Sequence, residues 1–183
     1  MRRMGFALTA IAALGGAAVY LAPASNEVDA EAAPIYGIKI PAGYRDWRLI
    51  SVNHLAGTGD KLKQVRAQLG NDIAIEAFRA GKLPFPDGTI IAALHWNEAS
   101  SDENDKVLAI GFPGAGLESF VAGSAVNVQF MIKDSKKYAA TGGWGYSSFD
   151  QDGKPTDEAA MKACFPCHQA IKARDLVFTR YSP

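Results

Sequence analysis

Cys164, Cys167 and His168 are the residues whose types and spacing can do chemistry. Two thiols stand two residues apart, and an imidazole follows the second directly. This is the pattern of a c-type haem attachment site. Each thiol adds to one of the two vinyl groups of a porphyrin, so both sulfurs must reach neighbouring edges of one ring. His168 lies one helical turn beyond Cys164, beside both anchors and within reach of the iron. A zinc site would need more Cys or His ligands. Only His54 and His95 remain, and they do not form a spaced pair. A thioredoxin-like Cys-x-x-Cys opens a helix after an early strand, whereas this pair lies near the end of the chain.

The elements that must position the motif follow from the flanking sequence. Thr156 reads as the N-cap of the helix that carries it, and Asp157 and Glu158 suit that helix's positive end. Pro166 lacks an N–H, so the helix should kink there or restart with Pro166 in its first turn. Upstream, Trp47–Val52, Thr89–Glu98, Val107–Phe112, Ala125–Lys133 and Trp144–Phe149 read as strands, and Leu176–Tyr181 as a final one. The run Leu62–Leu69 fits helix or strand by its spacing. Asn71 reads as the N-cap of a short helix over Ile73–Ala80, stopped by Gly81. Ala99–Asp105 reads as an exposed loop. In the strand 89–98, Ile90, Ala92, Leu94 and Trp96 share one face, while Ala93, His95 and Asn97 share the other. Strands separated by turn residues predict an α+β fold: mainly antiparallel β-sheet with a few short helices, and a haem-bearing helix near the C-terminus. A four-helix cytochrome is excluded, because four long amphipathic helices are not there.

The 183 residues carry 19 Lys+Arg against 19 Asp+Glu. With no net charge and no basic run, no nucleic-acid partner is expected. Residues 1–24 read as a signal peptide: Arg2 and Arg3 precede an apolar stretch from Gly5 to Ala22, with small-residue cleavage sites ending at Ala24 and Ala32. An uncleaved N-terminal anchor is the alternative. Residues 25–35 read as a linker and 36–183 as the haem domain. Export to the periplasm suits the motif, since bacterial haem attachment is completed outside the cytoplasmic membrane. Both cysteines lie inside the motif, leaving none for a structural disulfide.

From about Tyr44 to Pro183 the chain resembles the cytochrome P-460 family. The resemblance rests on Tyr44-Arg45-Asp46-Trp47, Phe85-Pro86-Asp87-Gly88-Thr89-Ile90-Ile91-Ala92, Phe130-Met131-Ile132-Lys133-Asp134-Ser135-Lys136, Tyr138 to Gly145, the haem motif and Val177-Phe178-Thr179-Arg180-Tyr181, in that order. It implies a periplasmic homodimer with one covalent haem c and an open sixth iron position. His168 would be the sole protein ligand to the iron, with Cys164 and Cys167 as the anchors. It implies binding or oxidation of hydroxylamine and nitric oxide, with electrons passing to a periplasmic acceptor such as a small cytochrome c. The related cytochrome c′-beta group binds diatomic gases without turnover. The resemblance places a distal arginine at Arg66, where a guanidinium would hydrogen-bond the ligand, and it makes the segment around Arg66 a strand. It also places the family's haem-linking lysine at Ala93. Alanine cannot make that bond, which shifts weight from an oxidoreductase towards gas binding. A plain electron carrier would need a second axial ligand, for which Met131 and His95 are the candidates.

Overall fold

In a computed structural model of the protein, residues 31–58 and 63–182 are described. The expected signal peptide, the first part of the linker, and Gly59 to Leu62 lie outside them. Five strands form one antiparallel meander in sequence order: β1 (Arg48–Ala56), β2 (Lys63–Gly70), β3 (Ile90–Ser100), β4 (Phe120–Lys133) and β5 (Trp144–Asp150). Helix α1 (Asp72–Arg79) follows β2, α2 (Asp102–Gly111) joins β3 to β4, and α3 (Glu158–Lys162) and α4 (Cys164–Gln169) follow β5. The α+β architecture is thus the expected one, and the segment around Arg66 is a strand.

Period-2 alternation gives the sheet two faces. Ala92, Leu94, Val128, Phe130 and Phe149 cluster on one, covered by Ala33, Ile40, Tyr44 and Trp47 of the N-terminal segment. Ile50, Ile91, Trp144 and Tyr146 cluster on the other with α1 and the C-terminal Leu176 and Val177. α1 can lie close because Gly70 has no side chain: a Cβ there would meet Ala74 Cβ and Ile50 Cδ1 at 2.9 Å. Asn71 caps α1, its Oδ1 accepting from Ala74 N at 3.0 Å and from Ile90 N at 3.1 Å, so the cap also ties the helix to β3.

The structure corrects several expectations. The strand expected at Val107–Phe112 is the second half of α2. Asp102, Glu103 and Asp105 in its first turn favour a helix N-terminus. The loop expected at Ala99–Asp105 is instead the end of β3 and the start of α2. Leu176–Tyr181 forms no strand: the following residue meets the sheet margin, Ser182 N donating to Ile50 O at 2.9 Å, while Leu176 and Val177 are buried. Asp157, not Thr156, caps the motif-bearing region, accepting from Ala160 N at 2.8 Å. Thr156 turns back to Ser148 O. The helix breaks at Ala163 and restarts at Cys164, which puts Pro166 in the first turn of α4, where its missing N–H has no intrahelical partner to lose. His54 is exposed as expected, yet it pairs with Glu98 and stacks on Phe120.

Candidate functional site

A cavity of about 420 Å³ lies between the second sheet face and the C-terminal segment, within the usual range for ligand pockets. Cys164 and His168 of α4 line one wall with Phe178, Thr179 and Arg180. Arg66, Gln68, Ile91, Ala93, His95, Gln129, Met131 and Tyr146 line the sheet side. Cross-strand register orders that wall. Ile91, Met131 and Tyr146 form one row, Gln68, Ala93 and Gln129 the next, and Arg66 and His95 the third. The wall therefore grades from apolar beside His168 to polar and cationic away from it.

His168 is held from behind. Its Nδ1 lies 2.6 Å from the carbonyl oxygen of Leu176, so Nδ1 carries the proton and donates it. That leaves the lone pair on Nε2, the tautomer a metal requires. Tyr146 and Phe178 flank the ring, each with its centroid 5.0 Å away. Burial lowers the His168 pKa, and the bond to Leu176 opposes that shift. Cys164 is half-buried, and burial, then the neighbouring Cys167, raises its thiol pKa. Cys167 is exposed and lies outside the lining. Both thiols are free. The Tyr146 hydroxyl is buried without a partner beside these groups, and burial raises its pKa most.

The polar end of the wall is arranged for a guest that accepts hydrogen bonds. Arg66 is half-buried and hydrogen-bonds a neutral group: Nε and Nη2 donate to Gln64 Oε1 at 3.0 and 2.6 Å. Burial lowers its pKa, but a guanidinium remains charged at any physiological pH. The Ser51 hydroxyl donates to Gln68 Oε1 at 2.9 Å, leaving the Gln68 amide N–H groups as donors. The spacing of Gln64, Arg66 and Gln68 on β2 was the one signal that could have found Gln68, because alternate residues of a strand share a face.

His95, a candidate axial ligand by sequence, pairs with Arg66 in register and is 5 % exposed. Burial foremost, then the Arg66 charge, lowers its pKa to about 4. Asn127 opposes them weakly, since its Oδ1 makes no hydrogen bond of normal geometry. His95 is thus neutral at neutral pH. Because the folded pKa is depressed, the unfolded chain binds the extra proton first as the pH falls. The stability His95 confers is complete above pH 6.5 and is lost towards pH 4. After allowance for water reaching the cavity it amounts to about 2 kcal/mol. Urea unfolding at pH 7.5 and 4.5 should show that loss, and His95→Gln should remove most of it.

Ala93 lies centrally in the wall, between Gln68 and Gln129. Among the described residues no lysine lines the cavity; Lys82 and Lys106 lie elsewhere. The residues fit a haem: Cys164 and His168 share one wall of the cavity, and its apolar end adjoins a histidine whose free nitrogen is Nε2.

No curated protein matches the sequence. The family model described as cytochrome P460 matches residues 41–179, a span that holds the whole sheet, the sheet side of the cavity and Cys164 to His168. The chain belongs to the cytochrome P460 family of haem-binding cytochromes.

Proposed function

We propose that the chain is a periplasmic monohaem cytochrome of the c type, which binds and oxidises small nitrogen compounds such as hydroxylamine and nitric oxide. In this reading Cys164 and Cys167 hold the haem through two thioether bonds and His168 Nε2 ligates the iron. The observation that carries it is the pairing of a rear-anchored His168 with an opposite wall where Arg66 has no carboxylate partner among the described residues. When bound, the haem supplies an iron centre that accepts electrons. Arg66 donates hydrogen bonds to the substrate oxygen and offsets negative charge that develops there. Gln68 adds a second, neutral donor whose direction Ser51 fixes. His95, neutral at working pH, contributes a hydrogen bond without adding charge.

Electrons would leave to a periplasmic acceptor with an acidic face. A neighbouring cleft of about 250 Å³ shares Thr179 and Arg180 with the cavity. It is lined by Lys82 and Arg174 besides Arg180, and by no carboxylate among the described residues. Such a surface speeds encounter with an acidic partner, less so as salt is added. The homodimer reading is supported by exposed Val107, Ile110 and Phe112 on the arm around α2, an apolar surface of the kind that partners cover.

The test is hydroxylamine-dependent reduction of an artificial acceptor by the purified holoprotein. Turnover supports the reading, and Arg66→Leu should then cut the rate about 100-fold. The second reading, non-catalytic binding of nitric oxide or another diatomic, is favoured by the absence of a lysine from the described lining. Nitric oxide binding with no turnover under excess acceptor would select it.

A further inference from the structure

The side chains that grip His168 from behind lie well outside the motif. Leu176, whose carbonyl accepts the hydrogen bond from His168 Nδ1–H, has φ of +66°, and the preceding Asp175 has φ of +50°. Two consecutive non-glycine residues in the left-handed region are costly, and such backbone persists only where the surroundings over-determine it. Here they do. The Asp175 carboxylate accepts from Lys133 Nζ at 2.8 and 2.9 Å, and from the Phe85 backbone N–H at 2.8 Å. Lys133 reaches this point from the end of β4. It also donates to Gly142 O at 3.2 Å and lies 5.0 Å from the Trp144 ring centroid. The Leu176 side chain fills a notch at Gly142, where a Cβ would stand 2.7 Å from Leu176 Cδ1. Both strained residues are therefore clamped, one by its carboxylate and one by its side chain.

We propose that the buried Lys133–Asp175 pair is a positioning device for His168: it holds the Leu176 carbonyl on Nδ1 and so sets the donor strength of Nε2. The inference rests on His168 being the iron ligand. Buried ion pairs are weak sources of stability, and apolar replacements of similar volume often match them. Their retention in the interior therefore calls for another role, and this pair ends at the carbonyl that fixes the ligand's tautomer. A firm hydrogen bond at Nδ1 raises imidazole basicity, and loss of such an outer partner alters the metal it serves. Loosening the turn should weaken the iron–histidine bond and raise the midpoint potential, because a poorer donor favours the reduced metal.

Resonance Raman spectra and redox titration of the purified holoprotein test this, with Asp175→Asn and the double variant Lys133→Met/Asp175→Leu. The double variant leaves no unpaired buried charge, so it guards against simple misfolding. The proposal expects a lower iron–histidine stretching frequency and a higher midpoint potential in both variants, with an unchanged far-ultraviolet dichroism spectrum. A frequency and potential equal to those of the parent in the folded double variant would overturn the clamp. Absence of any iron–histidine band in the parent would overturn the ligand reading, and the clamp with it.

Discussion

Replacing both Cys164 and Cys167 with serine is expected to turn haem that resists acidified-acetone extraction into haem that is wholly extracted. The thioether bonds are the only covalent tie proposed between chain and cofactor, since Ala93 offers no second one. The two single variants should differ. Cys164 faces the cavity and is half-buried, whereas Cys167 is exposed and outside the lining. Cys164→Ser should therefore cost more holoprotein than Cys167→Ser. Haem left fully resistant to extraction in the double variant would show that some other side chain holds it.

The second large effect concerns the frame. Trp144 is wholly buried at the start of β5. It packs edge-on against Phe85, with centroids 5.9 Å apart, and lies under Lys133 Nζ. Its indole N–H has no hydrogen-bond partner, so truncation forfeits no such bond and the loss is one of packing. Trp144→Ala should cost about 3–5 kcal/mol, a large share of the ~5–15 kcal/mol that keeps a domain folded. Equilibrium urea unfolding would read this as a lower midpoint at nearly the same slope. A shift below about 1 kcal/mol would mean that the core closes over the gap.

Local chemistry made much of this protein legible in its sequence. The motif at Cys164 to His168 points to haem by its spacing, and the family is one of haem-binding cytochromes. The cap at Asn71 and the stop at Gly81 bound α1 because both act within a few residues. Alternation along β3 set Ala93 and His95 on a common face, and that face is the cavity wall. What stayed hidden depends on contacts distant in sequence. Val107 and Ile110 suit a strand by type, but the acidic first turn decides for α2. Leu176 and Val177 read as strand residues, yet their backbone is bent by an aspartate whose partner lies 42 positions earlier. Lys133 looked like one more polar residue closing a strand. Only the fold brings it to Asp175, and through Leu176 to His168. Gln68 was missed for a similar reason: its role depends on Ser51 across the sheet.

The most direct test of the account is the optical spectrum of the matured protein, ferric and then ferrous, before and after nitric oxide. A histidine-ligated iron facing the wall of Arg66, Gln68 and Ala93 predicts a high-spin, five-coordinate c-type spectrum that shifts on adding the gas. A low-spin spectrum indifferent to nitric oxide would contradict it. It would mean that a second side chain, Met131 or His95, closes the sixth position and that the protein carries electrons only.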